Sequence, residues 1–498
     1  MSRRSPASRR HDHAPHRRSR RAAAVLLLAC GLSTTPLSTA VAAPSDVVTF
    51  ADPGFRQCVT GNLGMPSTSP VTAGQAASLT ELECDFAPVA SLDGAAALTN
   101  LASLSLGDAS TVSDLAPIAG LTRLQRLDAP SGRIADLAPL RRLTALTRLD
   151  VSGNPVVDLA PLSSLTGLTN LDVSGSSLTT LEPLRSLTGL RVLSVEREGQ
   201  VDISALAALT GLQRLVLVVP DVVSLAPLRS LTALTQLTVQ AAATDISPLA
   251  PLLRLRTLSL NVAGGDGAAL AGKPDLTELS VYGVRLPSLD PLAASTDLTW
   301  LIAVSPGIKD VAALQGMTGL STVVLSGVDR ADVSPLSRLP QLSYLSISES
   351  RLGPLRQFDG FPALNTLELN ENQLSSLDGF RMPVNLSSLD VSGNRLSDIS
   401  RLGCTVLVNA LAQRVDAGRA RVGQPFRLRL ATVAGQTVRL GRSSAWASDG
   451  TAITYAGAGR YRVPFSAGGS PECGGVLFEG VVSQSATAGS PMRPPRDH

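Results

Sequence analysis

Leucine returns in this chain every twenty-two residues, and that spacing limits the fold more than any other feature. The frame L-x-x-L-x-[LV] reads Leu146-Thr-Arg-Leu149-Asp-Val151 and, one period on, Leu168-Thr-Asn-Leu171-Asp-Val173. It starts fifteen times, at Leu79, Leu101, Leu124, Leu146, Leu168, Leu190, Leu212, Leu234, Leu255, Leu276, Leu298, Leu320, Leu342, Leu364 and Leu386. A fixed period of this length is the mark of stacked structural repeats. The last three positions of the frame alternate inward and outward, which is strand periodicity. So short a strand cannot fold back on itself and must pair with the same run in the next repeat. Identical coils stacked at ~4.8 Å give a parallel sheet roughly 65 Å along its arc. The return segment is also periodic: Asp136-Leu-Ala-Pro139-Leu140, Asp158-Leu-Ala-Pro161-Leu162, Asp332-Val-Ser-Pro335-Leu336. Asp ahead of a turn caps free N–H groups, and Pro at the first helical position loses no needed hydrogen bond. These segments predict one turn of 3₁₀ or α helix on the back of each coil. The strand side is the narrower, so the sheet is expected to be concave. No coil buries its leucines alone, so neighbours hold one another together.

This wording resembles the leucine-rich repeat family, and the 22-residue length with L-T-x-L-x-x-L-D-[LV]-S resembles its bacterial internalin-like subclass. The resemblance covers residues 46–485. It implies an α/β solenoid: a right-handed superhelix with a parallel concave sheet, short helical turns behind it and a small all-β C-terminal domain. The family places Asn at the ninth position of the frame, and this chain departs there. Asn stands only at 154, 372 and 394, while Ala109, Gly132, Ser176, Glu198, Pro220 and Val284 fill the slot elsewhere.

The expected organisation is a signal peptide over 1–42, a helical cap over 43–78, repeats over 79–404, an immunoglobulin-like β-sandwich over 405–485 and a polar tail over 486–498. Residues 1–21 hold eight Arg, residues 22–32 are apolar, and Ala40-Val41-Ala42 offers a cleavage site. Ser19-Arg20-Arg21 leaves a twin-Arg route open beside the general one. Leu27-Leu28-Ala29-Cys30 resembles a lipoprotein box with an atypical Leu28, so free secretion is preferred to a lipid anchor at Cys30. The apolar stretch is too short to span a membrane. Without residues 1–42 the chain carries 35 basic and 39 acidic groups, which gives no support for nucleic-acid binding. In the cap, Asp52-Pro53 reads as a helix start. Four cysteines follow the signal: Cys58, Cys84, Cys404 and Cys473. An even count in an exported chain points to disulfides, and position in the stack pairs Cys58 with Cys84 and Cys404 with Cys473. Alternating runs such as Phe426–Leu430, Thr437–Leu440, Thr451–Tyr455, Arg460–Phe465 and Val476–Val481 predict a small antiparallel sandwich.

Catalysis finds little footing. The four histidines are His11, His13, His16 and His498, so the domain interior has none for a nucleophile–base pair or a His-based metal site. No cofactor is expected. Outward strand positions put Asp128, Asp150 and Asp172 in one column, about 5 Å apart, with Arg126 and Arg148 one column over to neutralise them. A carboxylate-dependent hydrolase is therefore the weakest of three readings. The same outward positions hold Tyr282, Trp300 and Tyr344, the only Tyr or Trp between residues 79 and 404. Ile302, Val304 and Val324 fall among them. Such a patch suits the anchors of a binding surface. The leading expectation is a secreted, non-catalytic recognition or adhesion protein that binds another protein through its sheet. An envelope protein that binds glycan or is structural is the alternative.

Overall fold

A computed structural model describes residues 43–85, 87–402, 406–433, 436–467 and 476–488. The leader with Cys30, the pair Cys404 and Cys473, Phe86 and residues 489–498 lie outside the described residues, while Ala486 and Thr487, expected in the polar tail, end the strand Val476–Thr487.

All fifteen frame leucines are buried, as are the residues three and five positions after each. Leu149 lies beside Leu171, and Leu171 beside Leu193, in continuous parallel register. Each of these three is at most 1% exposed. The inward columns are thus shared between neighbours, and fully burying each leucine contributes roughly 1.5–3 kcal/mol. Parallel ladders run without a break from Glu81–Glu83 to Ser388–Asp390 and on into Leu407–Arg421.

The back of nearly every repeat carries a 3₁₀ turn such as Ala138–Arg142 or Ala160–Leu162, with Pro at its start. The preceding Asp binds the turn as expected: the Ala138 amide donates to Asp136 at 2.8 Å and the Ala160 amide to Asp158 at 2.8 Å.

Strand length is the feature that varies. The three repeats with Asn in the ninth slot have three-residue strands. In one of them, the Asn154 Oδ1 accepts from the Ile134 amide at 2.8 Å, and its Nδ2 donates to the Ala129 and Val151 carbonyls. The side chain takes up main-chain groups at the end of the strand, but the repeats starting at Leu79, Leu101, Leu124 and Leu168 stop at three residues without it. The repeats starting at Leu190 to Leu342 lack this Asn, and their strands run from five to nine residues, the longest being Trp300–Ile308.

The first coil is covered by the helix Pro53–Asn62. Asp52 caps it, accepting from the Phe55 amide at 2.7 Å. Asn62 donates to the Glu83 carbonyl at 3.1 Å, occupying the open edge of the first strand. A Cys58–Cys84 disulfide, with Cα atoms 5.2 Å apart, ties this helix to the coil.

The C-terminal strands differ from a purely antiparallel sandwich. Leu407–Arg421, a fifteen-residue strand that the alternating runs did not reveal, pairs in parallel with Val476–Thr487. That strand pairs antiparallel with Gly459–Ala467, which in turn pairs with Arg439–Leu440. The repeat sheet therefore passes directly into this region. A second, antiparallel sheet joins Phe426–Arg427, Ala452–Tyr455 and Trp446–Ser448. The parallel pairing follows from continuity: Leu407–Arg421 docks on the last repeat as if it were another coil.

Lys273 interrupts an inward column. Three residues before each frame stand Leu231, Leu252, Lys273, Ser295 and Met317, all fully buried. The Lys273 ammonium donates only to the Leu249 carbonyl, at 3.1 Å, and burial pulls its pKa down to about 8. Between pH 8 and the unfolded value near 10.5 the unfolded chain binds more protons, so stability should rise with pH across that window. Lys273→Met should add on the order of 2–3 kcal/mol at neutral pH and abolish that rise, read by denaturant unfolding at several pH values. Cys58→Ser should cost about 2–4 kcal/mol in the same assay under oxidising conditions.

Candidate binding face

The longer strands add a third outward row to the sheet. In register across it stand Asn261, Tyr282, Val304 and Ser326. The middle row holds Ser280, Ile302, Val324 and Ser346, and the first holds Glu278, Trp300, Thr322 and Tyr344. Tyr282 and Val304 belong to the face only because these ladders continue past the usual stop. The chain then has to turn sharply, and Gly283 does so at φ 79°. A Cβ there would lie 1.8 Å from the Val262 carbonyl oxygen.

Trp300, Ile302 and Val304 lie along one strand, with Val324 beside Ile302. Tyr282 flanks Val304, and Tyr344 lies two strands from Trp300, ~10 Å away. Trp300 is 44% exposed and Tyr282 38%, whereas Ile302, Val304 and Val324 are half-buried. Tyr344 is half-buried too. Burial and the neighbouring Glu368 carboxylate push its phenol up to about 12, so its hydroxyl stays protonated as a donor. The six residues are thus contiguous, but Trp300 and Tyr282 are the two presented to solvent. Phe358 and Phe361 stack in the core at 6.3 Å, and Phe380 packs against it half-buried.

The aspartate column is arranged as its neighbours require. Asp128, 7% exposed, pairs with Arg126 and with Arg148, the latter at 3.1 Å. Those contacts hold the Arg126 guanidinium above its ordinary value. Asp150 accepts from the Ser152 amide and hydroxyl at 3.0 and 2.7 Å, and Asp172 from the Ser174 amide at 2.9 Å. The acids are occupied by their own turns and by two arginines. Among the described residues no group of three or more His, Cys, Asp or Glu could hold a metal ion, and no helix is long and apolar enough to cross a membrane.

A leucine rich repeat model matches residues 340–396. Among solved structures the chain is similar to an internalin (inlF) from Listeria monocytogenes, with 28% identity and a TM-score of 0.61 over 66% of this chain and 98% of that one. It is similar in fold to the functional domain of Listeria monocytogenes InlJ, with 16% identity and a TM-score of 0.54 over 90% of this chain and 100% of that one. The same holds for a leucine-rich repeat protein of Leptospira interrogans, with 18% identity and a TM-score of 0.54 over 68% of this chain and 97% of that one. Among curated protein sequences none matches.

Removing both Arg126 and Arg148 by substitution to Ala should leave Asp128 buried without a counter-charge. Thermal or denaturant unfolding should then show a loss of about 1–3 kcal/mol, smaller when Asp128 is also changed to Asn.

Proposed function

From its internalin-like leucine-rich repeat architecture, we propose that this protein is a secreted, non-catalytic recognition or adhesion protein. It holds a macromolecular partner, most simply another protein, against the outward sheet rows of the repeats that start at Leu276 to Leu342. The observation that carries this reading is the exposure of Trp300 and Tyr282 around an aliphatic row, on a part of the face whose other outward positions hold mostly small polar residues with Glu278 beside Trp300. Large exposed rings cost solvation and yield it back when covered, which is why Trp and Tyr dominate the energetics of binding surfaces. Charges are sparse on this patch, so affinity would come from ring burial. Tyr344 would contribute more as a fixed hydroxyl donor than as an exposed ring. The leader over 1–42 supports export, with free secretion preferred to attachment through Cys30. Cys404 and Cys473 are read as a second disulfide at the rear of the stack.

The test is affinity capture from medium and envelope fractions with the purified protein, alongside a variant with Tyr282, Trp300 and Tyr344 all changed to Ala. A captured protein should depend on the patch, and Trp300→Ala alone should weaken it by about 2 kcal/mol or more in titration calorimetry. Undiminished affinity of the triple variant would remove the site. Retention on purified cell-wall glycan with no captured protein would favour the glycan-binding alternative.

A further inference from the structure

Charge reverses sign where the last repeat passes its sheet to the C-terminal strands. Residues 43–394 carry 22 basic and 33 acidic side chains, whereas residues 395–498 carry 13 basic and 6 acidic ones. Much of this excess gathers in one groove. Arg460 and Arg462 alternate onto the exposed side of the strand Gly459–Ala467, two residues and therefore ~7 Å apart. Arg462 stands opposite Ser483, and Arg460 opposite Ser485. Arg414 comes in from Leu407–Arg421, on the far side of Val476–Thr487, where it stands opposite Val481, and Arg395 follows the strand of the last repeat. The Arg414 amide donates to the Asn394 carbonyl at 2.8 Å, which locks those two segments together. The four guanidinium-bearing residues line an open cavity of about 670 Å³. A second hollow of about 470 Å³ shares Arg414 and Arg462 with it and adds Arg439.

Among the described residues, no ion pair engages Arg395, Arg414, Arg439, Arg460 or Arg462. Asp416, the one acid lining the larger cavity, accepts from the Gly418 amide at 2.9 Å within its own turn. Glu479 lines the smaller hollow. Like charges crowded together repel, and a low-dielectric wall strengthens the repulsion. The groove is therefore poised for an anion from outside, and guanidinium forks grip oxyanions with two parallel hydrogen bonds.

We infer that this groove is a second binding site, separate from the aromatic face, and that its ligand is an acidic polysaccharide. Two adjoining hollows with arginines spaced along them fit a chain with repeated anionic groups better than one small ion. Ser483, between Arg462 and Asp416, and Ser485, between Arg460 and Arg419, offer hydroxyls to sugar hydroxyls. The groove provides no free ring for base stacking, on which single-stranded nucleic acids depend. Of its two aromatics, Tyr461 stacks on Tyr455 at 4.4 Å, meets Trp446 edge-on at 6.2 Å and donates to the Gly457 carbonyl, and Phe465 is buried against Phe478 at 5.0 Å.

The test compares the purified protein with a triple variant, Arg414→Ser, Arg460→Ser and Arg462→Ser, whose altered side chains are exposed and make no ion pairs. Binding is measured to heparin, phosphomannan and polygalacturonate, which offer sulfate, phosphate and carboxylate, with dextran and single-stranded DNA as controls. At least one acidic glycan should bind, weaken steeply with added salt and lose about tenfold or more in affinity for the triple variant. The best of the three identifies the anion. Trp300→Ala should leave this binding unchanged, so the groove and the aromatic face fail or stand separately. The inference is overturned if none of the three glycans binds at low salt, if the triple variant with an unaltered melting temperature binds as well as the parent, or if dextran or DNA binds as tightly as the best acidic glycan.

Discussion

Every coil of this protein depends on leucines that its neighbours cover. One coil has two or three inward strand positions and one helical turn, too little apolar surface to meet the entropy of ordering some twenty-two residues. Stacking solves this only if register holds, and register holds because each inward residue meets its equivalent one period away. Two consequences follow. The ends must be closed by something other than a repeat, and any inward position that departs from the apolar pattern weakens two neighbours as well as itself. Asn62 and the Cys58–Cys84 bond meet the first need at one end, and Leu407–Arg421 meets it at the other. Lys273 illustrates the second, a lone ammonium in an apolar column with one carbonyl for company.

The same stacking leaves the outward face free to vary, and strand length varies along it. Asn154 ends its strand by binding main-chain groups on both sides. The repeats starting at Leu79, Leu101, Leu124 and Leu168 lack that side chain and still stop at three residues. In the repeats starting at Leu190 to Leu342, which also lack it, the polar main chain finds its partners in the adjacent strand and the ladder runs on. Eight successive repeats do this, which widens the sheet by a row and brings Tyr282 and Val304 onto it. The longer strands thus enlarge the surface on which a partner could sit.

At the C-terminal end the sheet continues while its character changes. The strands Leu407–Arg421, Val476–Thr487 and Gly459–Ala467 prolong the repeat sheet, but their exposed positions are rich in arginine where the repeats favour acids and small polar groups. A single continuous sheet thereby presents an aromatic region and a cationic region, each suited to a different kind of ligand.

The repeat pattern determined the stack, its inward columns and the Asp-capped turns, because each depends on residues at fixed spacing, while the pairing of Cys58 with Cys84 was read from the cysteine count and their shared place at the front of the stack. It also placed Trp300, Ile302 and Val324 on one face by a period of two, whereas Tyr282 and Val304 join that face only because their strands run on. It could not show how far each strand runs, that Tyr344 sits half-buried beside Glu368, or that Leu407–Arg421 continues the sheet in parallel. That segment has no leucine frame, and its pairing is set by the last coil it covers. Nor could spacing reveal the arginine groove, whose members come from three strands and a connecting segment of unrelated sequence. Only the folded chain brings them together, because long-range pairing, and not local pattern, decides which side chains share a surface there.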